Sequence, residues 1–371
     1  MFQARHAMLP EATHDEFARE EFCSTLRQVF TSELWPGNRE VYDNQLPKFV
    51  AQHGRAPASF REARELMNET FYWRGTQLVG RAAQEMLWDT VGESVERQLD
   101  VLNAKAAMPP RKPRGSLRLN PKLKIPKYID AVDIHVMPGN FHTELCEGDV
   151  FAGALYDRGV YVFSFGGLGP YNAGLGTTMS GYIKSAFPTF KPGRILDIGC
   201  GPGFTTTAFV DAFPDAEVHA LDIGAPQVRY GHSRAESLGK RIHFSQQDGT
   251  DTDYPDGHFD LVYSCLVTHE CPVPVIRGIF RECHRLLKPG GMMIHDGATP
   301  IVKDPGTELM TSYFGHNINE PFSVGMAELD YRKAFSEAGF AEDKFFEGVC
   351  PPAYLKEQLK FVSYVGSFKG K

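Results

Sequence analysis

The sequence predicts an α/β protein in which a doubly wound, mostly parallel sheet follows a helical N-terminal part. Three observations carry that prediction. From Lys191 onward, strand-like and helix-like runs alternate: "RILDIG", "TTTAFVDAF", "EVHALDI", "APQVRYGHSRAESLG", "RIHFSQQD", "HFDLVYSC", "VPVIRGIFRECHRLL", "GMMIHDG". That is β-α-β-α-β-β-α-β, the order of a parallel sheet covered on both faces. A further helix-like run, "GMAELDYRKAFSEAGF", precedes two strand-like runs, "KFFEGV" and "LKFVSYVGSF". Residues 1 to about 106 show helical periodicity without strand signals of comparable strength.

The N-terminal helices begin with recognisable caps. Thr13 with Glu16, and Ser59 with Glu62, have the spacing at which side chains satisfy the free N–H groups of a helix start. Phe22, Leu26, Val29 and Phe30 recur at helical spacing, as do Trp88, Val91, Val95, Leu99 and Leu102. Such stripes predict core or subunit contacts, and a homodimer through these helices is the partner expected. Residues 107–128 carry five prolines and seven Lys or Arg with no acid, and read as a solvated linker that closes a domain over 1–128. Residues 129–190 are rich in glycine and aromatics and read as a loop-rich segment that caps a substrate. Residues 191–371 form the third unit. "HNINEPFSVG", around His316, is read as part of a lid.

Composition narrows the function. The chain has 371 residues, 42% apolar, with a formal net charge of −7, which speaks against nucleic acid or an acidic membrane surface as partner. Seven scattered cysteines suit a reducing compartment. The N-terminus has no apolar core of signal-peptide type, and no apolar run reaches the ~18 residues of a membrane span. A soluble, cytoplasmic protein is expected.

The turn "ILDIGCGPGF" holds the most specific signal. Gly199, Gly201 and Gly203 fall where a strand ends and a helix begins, the position at which open α/β sheets bind ligands. The third glycine comes one residue too early for a dinucleotide fingerprint, and Phe204 takes its place. Asp197 stands in front of the turn and offers charge for an ammonium. Asp222 ends the second strand, where an acid can accept from both ribose hydroxyls, and Asp248 ends the third, within reach of an adenine amino group. Together they describe a site for adenosine with an amino-acid tail.

This constellation resembles the class I S-adenosylmethionine (SAM)-dependent methyltransferases over about residues 191–296. "ILDIGCGPGF", "ALDIG", "QQDGTD" and "HRLLKPGGMMI" look like four of their motifs in register. The resemblance implies a Rossmann-like seven-stranded sheet and SAM as cofactor. It implies that Asp197, Gly199, Gly201 and Gly203 cradle the methionine part, with Asp222 at the ribose and Asp248 at the adenine. Cys200, Phe204, Ile223, Gly249 and Cys265 complete the expected cofactor site.

The Asn/Asp-Pro-Pro-aromatic signature of amino-nitrogen methylases is absent from the fourth strand end, where "YSCLVTHE" stands instead. That points to a small-molecule acceptor, with oxygen favoured and carbon, sulfur or nitrogen open. His269 is the candidate base, since a hydroxyl acceptor must lose a proton and histidine titrates in the right range. Its surroundings resemble the catalytic-histidine stretch of plant-type O-methyltransferases and the "LxxH" stretch of ubiquinone-biosynthesis-type enzymes, although Glu270, Cys271 and Pro272 depart from the former. His142, Tyr156, Arg158, Tyr171 and His295 are candidate substrate contacts, with His135 and Tyr161 in the same segment. No metal is expected, because Cys265, His269, Cys271, Cys283 and His284 contain no C-x-x-C pair, and His135 and His142 lack helical metal-pair spacing. A SAM-binding regulatory or assembly protein without transfer activity, and an RNA methyltransferase, are the alternatives.

Overall fold

The computed structural model describes residues 3–108, 112–297, 304–354 and 361–370. Pro109, Pro110 and Arg111 of the expected linker lie outside them, as does the start of the last strand-like run. Five helices come first: α1 (His14–Val29), α2 (Trp35–His53), α3 (Phe60–Asn68), α4 (Phe71–Glu96) and α5 (Leu99–Ala107), with a π turn over Phe30–Leu34. The Thr13–Glu16 capping box is formed. Ser59 accepts from the Glu62 N–H, but the Glu62 side chain turns to Ala58 N and Arg55.

After the short strand β1 (Ser116–Arg118) come α6 (Lys127–Asp130), α7 (Phe151–Phe163) and α8 (Gly174–Ala186). The alternating part then runs β2 (Arg194–Ile198), α9 (Phe204–Ala212), β3 (Glu217–Asp222), α10 (Ala225–Ser237), β4 (His243–Gln246), β5 (Phe259–Cys265), α11 (Val273–Leu286) and β6 (Leu287–Asp296). It ends with α12 (Pro305–Asn317), α13 (Ser323–Ala327), α14 (Tyr331–Glu337), β7 (Phe345–Cys350) and β8 (Val362–Phe368). Among the described residues, no helix is long and apolar enough to cross a membrane.

The sheet order is β1-β4-β3-β2-β5-β6-β8-β7. β1 to β6 are parallel, while β8 pairs antiparallel with both β6 and β7. The sheet therefore has eight strands, one more than expected. The extra one is β1, inside the segment read as a solvated linker, where Leu117 and Leu119 pack against the cluster of Ala220, Val228 and Phe244. Side-chain alternation along the strands builds two cores. Leu196, Val262 and Met293 meet α11 and α14 on one face; Ile195, Leu261, Tyr263 and Met292 meet α8 and α9 on the other.

The segment read as loop-rich contains two of the sheet's covering helices. Their glycines serve close approach. A Cβ on Gly159 would lie 2.1 Å from the Trp88 ring, and one on Gly176 would lie 2.5 Å from the Thr205 carbonyl oxygen. Through this packing Leu87, Trp88, Val91 and Val95 of α4 share one core with α7 and with Tyr230 of α10.

Buried polar contacts tie the same elements. Arg158 pairs with Glu20 of α1, both nearly inaccessible. Asp157 is fully buried and accepts from Gln3 (2.7 Å), Tyr230 (2.9 Å) and Arg234 (3.1 Å), with His6 at 3.0 Å. Burial alone would raise its pKa; the Arg234 charge and the His6 and Tyr230 contacts outweigh it and hold the carboxyl below its usual range.

Candidate functional site

The carboxyl ends of β2, β3 and β5 surround a cavity of about 180 Å³. Gly199, Gly201 and Gly203 all have positive φ, at 71°, 50° and 74°. This lets the chain reverse between β2 and α9 without the penalty a Cβ would bring. A Cβ on Gly199 would meet Val267 Cγ2 at 2.5 Å, whereas one on Gly201 would find nothing nearer than 3.8 Å. The N–H groups of Gly199 and Cys200 both donate to the Leu221 carbonyl, which locks the turn onto β3.

Three carboxylates end three strands. Asp222 accepts from Gly201 N at 2.9 Å and Gly224 N at 2.8 Å; burial nevertheless raises its pKa above the ordinary carboxylate range. Asp248 accepts from the Thr250 N–H and hydroxyl. Asp197 is 1% exposed, and its Oδ2 accepts from Thr205 (3.0 Å) and Thr206 (2.6 Å). Its Oδ1 is buried with no partner. Burial pushes the Asp197 carboxyl up to about 7.

Of the residues expected at the cofactor, Gly199, Cys200, Gly201, Phe204, Asp222, Ile223, Asp248, Gly249 and Cys265 line the cavity. Asp197, near the end of β2, and Gly203, the N-cap of α9, are not among the lining residues. Of the expected substrate contacts, only Tyr156 lines it, stacked on Phe204 at 5.9 Å. The other four are absent from the lining. Arg158 is spent on Glu20, and His142 pairs with Asp130 at 3.1 Å. Tyr171 is 38% exposed, and its carbonyl accepts from Arg234. His295 is fully buried between the hydroxyls of Ser264 and Thr268, each 2.8 Å away, and burial drives its pKa down to about 3.

His269 also lies outside the lining; its neighbour Glu270 is part of it. Glu270 Oε1 is 2.8 Å from His135 Nε2 and 3.2 Å from His269 Nε2, and His135 Nδ1 is 3.2 Å from Glu320 Oε1. Burial would depress both histidines, but the Glu270 charge prevails, raising His269 above its ordinary pKa and His135 to about 10. The same contacts hold Glu270 and Glu320 below the usual carboxylate range against the effect of burial. His135 is fixed from behind, where its carbonyl accepts from Trp88 Nε1 (2.6 Å) and Gln84 Nε2 (2.8 Å).

Sequence reasoning missed Glu270, Tyr128, Phe141 and Asn172, all of which line the cavity. Glu270 had a signal, standing where the resemblance to O-methyltransferases breaks. The others come from the segment before Lys191, which has no motif.

Among the described residues, the lining contains three acids, Asp222, Asp248 and Glu270, and no Lys, Arg or His. A phosphate would find no basic side chain there, whereas the three acids match a cationic nucleoside. The orphaned Asp197 Oδ1 and the open side of Gly201 fit the ammonium-bearing end of such a ligand. Sheet order, glycine turn and strand-end acids together are those of the class I S-adenosylmethionine-dependent methyltransferase fold. Residues 195–291 match the family model described as a methyltransferase domain.

Named relatives are similar over part of their length. The sterol 24-C-methyltransferase ERG6B of Gibberella zeae is 38% identical over 105 residues, covering 28% of this chain and 27% of that protein. Phosphoethanolamine N-methyltransferase 3 of Arabidopsis thaliana is 29% identical over 158 residues, covering 42% of this chain and 31% of that one. The chain thus spans about a quarter to a third of these relatives' lengths. A Haemonchus contortus phosphoethanolamine N-methyltransferase 2 structure, with S-adenosylhomocysteine bound, aligns with a TM-score of 0.43 at 15% identity, over 58% of each chain.

Proposed function

We propose that this protein transfers a methyl group from SAM to an uncharged or cationic small-molecule acceptor, with oxygen favoured as the receiving atom. The observation that carries the reading is the cavity itself: apolar walls against the glycine turn, acids at the strand ends, and no basic side chain among its described lining residues. SAM, when bound, supplies an electrophilic methyl on a sulfonium that departs as a neutral thioether. Asp197 would offer its charge to the ammonium, directly or through a water, with Asp222 at the ribose hydroxyls and Asp248 at the adenine.

The family match covers residues 195–291, whereas Tyr128, Phe141, Tyr156 and Leu175 of the cavity wall lie outside it. The acceptors of the sterol and phosphoethanolamine enzymes therefore do not carry over. A phosphorylated acceptor would lack a counter-charge among the described lining residues, which favours an apolar one. Glu270 is the ionised group left over once the cofactor acids are assigned, and it can accept a hydrogen bond from an acceptor hydroxyl and orient it. His269, expected as the base, stands outside the cavity lining and is better read as a positioning residue that acts through Glu270.

Incubating the protein with methyl-labelled SAM and fractionated cell extract tests the reading; label is expected in a small-molecule product. Label confined to RNA, or none at all while SAM still binds, would favour the two alternatives and overturn it. Glu270→Gln should lower kcat about 10²-fold, and His269→Gln about 10-fold, by loosening acceptor alignment. Both should leave S-adenosylhomocysteine affinity, read by calorimetry, within about 2-fold, whereas global misfolding would abolish it. Asp222→Asn reverses the pattern: affinity is expected to fall about 10–100-fold, the worth of a charge-assisted hydrogen bond. Unchanged affinity in that variant would remove the ribose assignment.

A further inference from the structure

Beside the cavity, one ring nitrogen each of His135 and His269 and one oxygen of Glu320 lie within 4.8 Å of one another. They come from three separate places: the turn Ile134–Val136, the turn Thr268–Glu270 after β5, and the loop beyond α12. Two imidazoles and a carboxylate converging at this spacing form a ligand set suited to late first-row divalent ions, while Mg²⁺ and Ca²⁺ prefer oxygen-only sites. The two turns also bring Glu270, which is 2.8 Å from His135 Nε2. That contact leaves His135 Nδ1 turned towards Glu320, whose Oε1 lies 3.2 Å away without hydrogen-bond geometry. A carboxylate holding one ring N–H while the other nitrogen faces a metal is the arrangement that orients histidine ligands. Glu270 Oε2 is buried and without a partner. A metal that displaces the protons from the ligating imidazole nitrogens leaves Glu270 and Glu320 as two negative charges, which one divalent cation balances.

We propose that His135, His269 and Glu320 bind a single divalent transition-metal ion of the Zn²⁺, Co²⁺ or Fe²⁺ class, and that Glu270 orients His135. Three protein ligands leave coordination positions open. Glu270 belongs to both the cluster and the cavity wall, so the ion would sit beside the acceptor and could hold one of its oxygen or nitrogen lone pairs. That use of the ion rests on the methyl-transfer reading; its binding does not, and the test reads occupancy without turnover.

Protein stripped with a chelator and dialysed is titrated with Co²⁺, followed by visible absorption, and with Zn²⁺, followed by calorimetry. One equivalent of each is expected to bind, with a visible cobalt band that Zn²⁺ displaces and Mg²⁺ does not. His135→Gln and Glu320→Gln should each weaken binding at least about 100-fold, and Glu270→Gln about 10–100-fold. His142→Gln, whose imidazole pairs with Asp130 outside the cluster, should bind like the parent. Retained S-adenosylhomocysteine binding shows that a variant is folded, and Glu320→Gln on its loop suffices if His135→Gln is not. No saturable Co²⁺ or Zn²⁺ binding by the parent would overturn the proposal. So would binding that both ligand variants leave unchanged. The ion pairs alone would then account for the cluster.

Discussion

Asp197→Asn is expected to make the ligand-free protein more stable at pH 8 by about 1–3 kcal/mol, and to weaken S-adenosylhomocysteine binding about 10–100-fold. The two effects share one cause. The carboxyl is buried, with one oxygen bonded to two hydroxyls and the other to nothing. Its folded-state pKa of about 7 exceeds the ordinary value of 3.8, so the native state binds a proton more readily than the unfolded chain. Stability of the ligand-free protein therefore declines as pH rises from about 4 to 7 and levels off above, at a total cost of up to about 4 kcal/mol. Asparagine removes that decline, and the Thr205 and Thr206 hydroxyls can rotate to suit it. The same change removes the charge that an ammonium would meet. Urea unfolding of both proteins at pH 5 and pH 8, with calorimetry at pH 8, checks both halves. A variant less stable than the parent at pH 8 would contradict the stability argument; undiminished affinity would contradict the ammonium assignment.

Asp157→Ala should be the most damaging single change far from the cavity, costing about 3–5 kcal/mol. It leaves Arg234, fully buried, without its carboxylate, and strips partners from Gln3, His6 and Tyr230 at once. These groups belong to the N-terminal arm and α10, while Asp157 belongs to α7, so the loss should loosen the docking of the helical part on the sheet. Asp157→Asn, which keeps the shape and two donors' partners, should cost less. Equal midpoints and slopes for parent and Ala variant in urea would refute the expected role.

What the sequence could and could not convey follows from the range of the interactions. The glycine turn and Asp197, Asp222 and Asp248 were readable because each lies at a strand end, and strand ends are marked locally by apolar runs. Arg158, His142, Tyr171 and His295 were attractive by residue type, but their partners Glu20, Asp130, Arg234 and Ser264 are distant in sequence or set by strand pairing. The His135–His269–Glu320 cluster was unreadable for the same reason, since only the fold brings three loops together. Helices α7 and α8 were hidden by Gly153, Gly159, Gly174 and Gly176, which in sequence signal turns and here let backbones and rings touch. Strand β1 is three residues long among prolines, below what periodicity can detect.

That small strand constrains how the molecule can be divided. Ser116, Leu117 and Arg118 pair with His243, Phe244 and Ser245, so the polypeptide joining the helical part to the rest is itself sewn into the margin of the sheet. Trimming the gene just before Lys191 would remove that hem and bare the backbone of β4, an invitation to edge-to-edge association. A shortened version beginning near Arg114 keeps the seam closed on this side.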